Sequence, residues 1–277
     1  IRNAGSVRGS GGPARNAIGV QCSRGACASI TNSTVVAGNL DGSGNTGIGV
    51  ELAASSPIID DNLITGPSGG FGAIPMAGRY HGVLLTGSAA VLTNNVISAG
   101  GFAGRVETVR ITLVPGLGGV PEAILHSNTI DYAACTGCGV RTGLAISSSP
   151  VGVPPTGIIR NNVIRHAAAG GITIPVEELD TAADFRVFAN NDLFDVTAPG
   201  PYRDEGTTVL AIGGVNALSG ASANFVANCL WNVTSHIAAG STCVDSGTAT
   251  GAPPLDFDGE ARPAAAGYDV GADEFRP

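Results

Sequence analysis

The sequence contains no lysine. All 14 basic side chains are arginines, set against 22 acidic ones, for a formal net charge of −8. A dense basic stripe that could neutralise nucleic-acid phosphates is therefore excluded, and no nucleic-acid partner is expected. Tyrosine is scarce too, at four, which with the missing lysine thins the choice of bases for an eliminating enzyme. No apolar run reaches transmembrane length. No stretch carries the 3.6-residue period of an amphipathic helix, so an α-rich fold is excluded. No leader peptide is visible at residue 1, where the chain is expected to begin inside a coil already under way, its upstream part cleaved or omitted.

What the chain has instead is glycine, 42 residues of it, with 16 prolines punctuating β-branched runs. Its 277 residues, 43% hydrophobic, suffice for a continuous core in a single elongated domain. The seven residues Ile159-Arg160-Asn161-Asn162-Val163-Ile164-Arg165 form a template that recurs as ITNSTVV (30–36), IDDNLIT (59–65), LTNNVIS (92–98), LHSNTID (125–131), FANNDLF (188–194) and FVANCLW (225–231). The fourth position is Ser33, Asn62, Asn95, Asn128, Asn162, Asn191 and Asn228, at spacings of 29, 33, 33, 34, 29 and 37. Positions one and six are always apolar. A degenerate copy, IRNAGSV, occupies residues 1–7. Self-similarity at this period marks a solenoid.

Alternation of side chains along a strand slips by one residue inside each template. The slip returns the fourth position to the interior, as a corner between two short strands requires. A lone buried amide would cost roughly 1–3 kcal/mol. Stacked at the inter-strand spacing of about 4.8 Å, each asparagine can instead bond the one above and the one below, as in the amide ladders of stacked β structure. A further strand precedes each corner: IGVQ (18–21), IGVEL (48–52), GVLLT (82–86), RITLV (110–114), GLAIS (143–147), GITIP (171–175) and TVLAI (208–212). The expected fold is all-β, a parallel β-helix of seven to eight coils over residues 1–240 with an internal Asn ladder, followed by a capping segment at 241–277.

These corners resemble those of single-stranded right-handed parallel β-helix proteins, the pectate-lyase-like architecture. The tail resembles the C-terminal segment of secreted bacterial β-helix repeat proteins, where D-x-D-G-x-x-R-P precedes D-[IV]-G-A-x-E. Here these are Asp256-Phe257-Asp258-Gly259 with Arg262-Pro263, then Asp269-Val270-Gly271-Ala272-Asp273-Glu274. The resemblance implies an extracellular or cell-surface location. It fixes no activity, because this fold hosts lyases, hydrolases, epimerases and adhesins.

Six cysteines in three local pairs fit an oxidising compartment. The expected bridges are Cys22–Cys27, Cys135–Cys138 and Cys229–Cys243, the last pinning the tail over the end of the stack and covering its unpaired strand edges. A zinc site built on Cys135-Thr-Gly-Cys138 is disfavoured, since Cys22 and Cys27 lie some three coils, about 14 Å, away.

Chemistry is confined to outward positions and loops. His126, Asp131, Arg160 and Arg165 fall within two successive coils, with Arg141 and His166 nearby. Arginine can pair a sugar carboxylate bidentately and histidine can carry a proton near neutrality, so these six are the candidate ligand-binding and catalytic residues. Outward polar residues that pair with one another across neighbouring strands are the alternative. No cofactor is expected; Ca²⁺ is the one candidate, at Asp41 in NLDGSGNTG (39–47) or at Asp256 and Asp258, where a plain turn and a cap closure compete with it. Asp60-Asp61 reads as a turn, and VEELDTAADF (176–185) as a solvated acidic loop. Trp231 and Phe194 are expected to pack under the tail. The expected protein is a monomeric surface module that binds polysaccharide or another surface protein, or acts as a spacer. The alternative is a polysaccharide lyase or glycoside hydrolase.

Overall fold

A computed structural model describes residues 7–8, 17–37, 46–66, 76–99, 103–114, 122–132, 139–148, 156–166, 172–229, 231 and 236–277. Three sheets wind around one lumen. Sheet 1 holds the long strands Ala17–Ser23, Thr46–Ala53, Met76–Thr86, Ala103–Leu113, Val140–Ser148 and Ile172–Glu178, then Tyr202–Asp204 with its antiparallel partner Thr207–Val209. Sheet 2 runs from Ser29–Thr31 to Ala221–Ser222 through Ile58–Asp60, Val91–Thr93, Ile124–His126, Ile158–Arg160 and Val187–Ala189. Sheet 3 runs from Val7–Arg8 to Asp192–Asp195 and carries the strand that follows each corner. Within sheets 2 and 3 every pairing is parallel, for example Leu92↔Leu125↔Ile159 and Ile97↔Ile130↔Ile164. The chain is a parallel β-solenoid. Among the described residues, the one helix is the single turn Ile212–Val215, and no helix is long and apolar enough to cross a membrane.

The template's first and sixth positions do face the lumen. Ile30, Ile59, Leu92, Leu125, Ile159 and Phe188 stack from sheet 2, and Val35, Ile64, Ile97, Ile130, Ile164 and Leu193 from sheet 3, all buried. Val20, Val50, Val83, Val109, Leu144 and Val176 complete the core from sheet 1. Each such side chain contributes roughly 1.5–3 kcal/mol through burial. Glycine recurs where the sheet 1 strands bend: a Cβ on Gly49 would stand 2.5 Å from the Gly82 carbonyl oxygen.

The corners explain the paired polar residues. The third template position is left-handed, with φ of 48° at Asn32, 55° at Asp61, 53° at Asn94, 54° at Ser127, 53° at Asn161 and 54° at Asn190. Asn and Asp tolerate this region better than other residues with a Cβ. The residue after each bend points inward and forms the ladder. Asn128 Nδ2 donates to Asn162 Oδ1 at 3.0 Å and to the Leu92 and His126 carbonyls, while its own Oδ1 accepts from the backbone and side-chain nitrogens of Asn95. Asn62, Asn95, Asn162 and Asn191 repeat the pattern. Ser33 closes the early end: its amide donates to Asn62 Oδ1 and its hydroxyl to Thr31 O.

Two expectations are corrected here. The ladder ends on Asn224, not Asn228, which is exposed. FVANCLW matches the template's apolar positions better than Ala221-Ser-Ala-Asn224 does, yet the chain turns at Ala223 (φ 54°), which sets Asn224 33 residues after Asn191. Asn216, the residue after the short helix, then stands in for a further rung: its Oδ1 accepts from Asn224 N and Nδ2. The coil count is also smaller. About five turns separate Asn62 from Asn224, rather than seven to eight, because Phe225 makes only an isolated bridge to Asp192, residues 226–229 add no further strand, and the degenerate first copy lies, but for Val7, outside the described residues.

The end of the stack is closed by the hairpin Tyr202–Val209 and the turn of helix, with Val215 buried in the core and Ile212 and Leu218 packed against it. Residues 241–277 lie along the flank instead, over the left-handed corners. Asn161 Nδ2 donates to Thr248 O and Asn161 Oδ1 accepts from Thr248 N; Asn94 Nδ2 donates to Leu255 O; Thr129 Oγ1 accepts from Ala272 N. Outward amides at the bends need partners, and the tail's backbone supplies them. Cys22–Cys27 and Cys229–Cys243 are bridged, with Cα–Cα distances of 5.5 and 5.4 Å, so the second bridge ties the tail to the side of the solenoid rather than over its end. Cys135 and Cys138 lie outside the described residues.

Four charged residues of the tail's motif have structural tasks. Asp256 accepts from the amides of Asp258, Glu260 and Glu274. Asp269 accepts from those of Asp245 and Phe275, and Glu274 from those of Ala264 and Asp269. Arg262, its side chain fully buried, pairs with Glu274 at 3.0 Å and donates to the Gly271 and Ala272 carbonyls. Asp256 thus fixes turns within the flanking tail itself.

Candidate functional site

The six polar residues singled out in the sequence do not converge. His126 and Arg160 are neighbours on sheet 2, Asp131 and Arg165 on sheet 3. His126 is buried under the tail, its Nε2 2.9 Å from Thr250 O, and burial lowers its pKa to about 4 against the pull of that carbonyl. Arg165 pairs with Asp131 at 3.1 Å and lies 5.7 Å from the Trp231 ring. Trp231 packs with Val163 and Val270 beneath the tail, as expected. His166 is fully buried, stacked on Tyr132 at 5.2 Å with Nδ1 3.6 Å from Asp195 Oδ1. Arg141 is buried within sheet 1, which lowers its guanidinium to about 10. Asp41 lies outside the described residues. Asp61 takes the left-handed turn position, and burial, then Asp60, raises its carboxyl to about 7.

A denser constellation occupies the outer face of sheet 1. Val109, Leu144 and Val176 point into the lumen, so their strand neighbours Arg110, Ala145 and Glu177 form an outward column that Arg203 continues. A second column, His81↔Glu107↔Thr142, runs beside it. Glu107 is 1% exposed and receives Arg105 Nε at 2.7 Å and Arg110 Nη1 at 2.6 Å on its Oε1. Arg105 Nη2 reaches across to Glu177 Oε2 at 2.5 Å, where Thr142 Oγ1 also donates; Arg203 Nη1 stands 3.4 Å from Glu177 Oε1. Arg110 Nη2 donates to Ser147 Oγ at 2.7 Å. Glu107 Oε2 has no hydrogen-bond partner; His81 Nδ1 is 3.6 Å away and also 3.2 Å from the Glu107 carbonyl. Exposed Arg79 pairs in register with Arg105.

The electrostatics follow from this packing. Burial alone would raise the Glu107 carboxyl, but Arg110, Arg105 and His81 outweigh it and hold it below its ordinary value. Burial lowers His81 to about 4 despite Glu107, so the imidazole is neutral at pH 7. Burial disfavours charge on Arg105, yet Glu107 and Glu177 raise it. Glu107 is therefore ionised and offers no proton, which removes it as the raised-pKa acid of glycoside hydrolysis. The cluster presents four guanidiniums against two carboxylates, with a neutral imidazole among them. Such a set can hold anions bidentately.

Sequence reasoning missed this face: Arg110 and Thr112 alternate with lumen residues, but Glu107 shares the parity of lumen-facing Val109, so alternation alone places it inward. No protein-family model, no curated protein and no solved structure matches the chain.

Proposed function

We propose that the protein is a secreted or cell-surface β-solenoid module, of the right-handed pectate-lyase-like kind, that binds an acidic glycan across the outer face of sheet 1 without turning it over. The observation that carries this reading is the clustering of Arg79, Arg105, Arg110 and Arg203 around only two carboxylates, Glu107 and Glu177, in a chain whose net charge is −8. Two disulfides fit an oxidising location. Partly exposed Arg105 and Arg203 leave donor edges toward solvent, and uronate carboxylates match their geometry. A flat solenoid face suits a long polymer, which can contact several turns at once.

The second reading, a polysaccharide lyase, is favoured by one observation: His81 is a neutral imidazole held beside guanidiniums, and elimination needs a base next to a neutralised carboxylate. Calorimetric titration with polygalacturonate and with dextran, alongside ultraviolet monitoring for unsaturated products, tests both. The binding module gives polyanion-specific heat that falls with salt and in the Arg79→Ala/Arg203→Ala double variant, with flat absorbance. Rising absorbance that His81→Ala abolishes would establish the lyase. Equal or absent heat for both polymers refutes the proposal.

A further inference from the structure

The tail brings a second set of donor atoms together, away from sheet 1. One ring nitrogen of His236 and one carboxylate oxygen each of Asp258 and Asp273 lie within 4.8 Å of one another. His236 Nε2 is 2.7 Å from Asp258 Oδ2, and both side chains are 38% exposed, whereas Asp273 is buried. One imidazole and two carboxylates thus converge at a partly exposed place.

The three donors sit on backbone that is fixed before any ion arrives. Buried Asp256 accepts on Oδ1 from the amide of Asp258 and on Oδ2 from that of Glu274, the residue after Asp273. One carboxylate thereby holds both acidic donors in place. The third is coupled to them: Ile237 N, next to His236, donates to Asp273 Oδ2 at 2.6 Å. Outer hydrogen bonds of this kind orient metal ligands.

We propose that His236, Asp258 and Asp273 form a binding site for a divalent first-row transition cation of the zinc type, linking the segment at 236–240 to the tail. Imidazole nitrogen with carboxylate oxygen suits Zn²⁺, Co²⁺ or Mn²⁺. Ca²⁺ requires six to eight oxygens and is disfavoured by the nitrogen donor. The other convergent set, Asp192 with Cys229 and Cys243, has both sulfurs in a disulfide and is no competitor in oxidised protein.

The test uses tag-free, chelator-treated, oxidised protein titrated with ZnCl₂ and with CaCl₂, then with CoCl₂ under visible spectroscopy. The expected result is one equivalent of Zn²⁺, no comparable Ca²⁺ heat, and a cobalt band. His236→Ala and Asp258→Asn, both at exposed positions, should abolish heat and band while far-ultraviolet circular dichroism stays that of the parent. Absence of zinc heat in the parent, or zinc heat unchanged in both variants, overturns the site and leaves His236–Asp258 as a plain ion pair. Glycan binding by sheet 1 is independent of either outcome.

Discussion

At the scale of single residues, the template works because two neighbouring positions have opposite duties. Asn161 bends left-handed and faces the tail; Asn162 turns inward and joins the ladder. Replacing Asn128 by leucine would strand the amide and side chain of Asn95 and the carbonyls of Leu92 and His126. At roughly 1–3 kcal/mol for each uncompensated buried group, a loss of about 3 kcal/mol or more is expected in urea denaturation. A neutral result would contradict the ladder. Ala223 is the exception among the bends, a left-handed alanine with φ 54° and an exposed side chain. Asparagine tolerates that conformation better, so Ala223→Asn should stabilise by about 0.5–1 kcal/mol, read as a raised urea midpoint. These roles were legible from the paired polar residues, except at the last turn. There the small Ala221 gave no apolar signal, and the neighbouring Phe225 gave a false one.

At the scale of elements, the strands of sheets 2 and 3 could be read from sequence because only one tight bend separates them, which keeps their offset within each repeat fixed. Sheet 1 could not be aligned the same way. His81 pairs with Glu107 and Glu107 with Thr142, 26 and 35 residues apart. Loops of unequal length precede each strand, so columns counted from the asparagines drift out of register before they reach this face. The tail motif was recognisable as a pattern, but its tasks required coordinates: Arg262 serves Glu274 and two carbonyls within its own segment. Arg262→Met leaves Glu274 buried without its cation, a change of about 3–5 kcal/mol. The expected outcome is release of the tail, seen as faster hydrogen exchange at Thr248 and Gly271, whose amides bond Asn161. Exchange that stays slow would show that the disulfide and the corner amides hold the tail without Arg262.

For the molecule as a whole, buried ionisable groups set a direction for stability against pH. Burial raises Glu178 to about 8 against the hydrogen bond from Tyr202, and raises Asp192 to about 8. The folded state therefore holds protons there that the unfolded chain has lost, and stability falls as pH rises from the unfolded carboxyl range through 8. His81 and His126, both lowered to about 4, act oppositely: their contribution is full above the unfolded value near 6.5 and is lost as pH falls toward 4. Denaturation free energies should be greatest between about pH 5 and 6.5 and lower at 8.5 by a few kcal/mol. Glu178→Gln should flatten the alkaline side, and a profile that rises toward 8.5 would refute this assignment. The position of the tail has a mechanical side as well. It grips the bends at Asn94 and Asn161 and the strand start at Thr129, which belong to three successive turns. A pull on the C-terminus along the solenoid axis therefore loads those turns in shear, all together, where a tail seated on the last turn would let them unzip one after another.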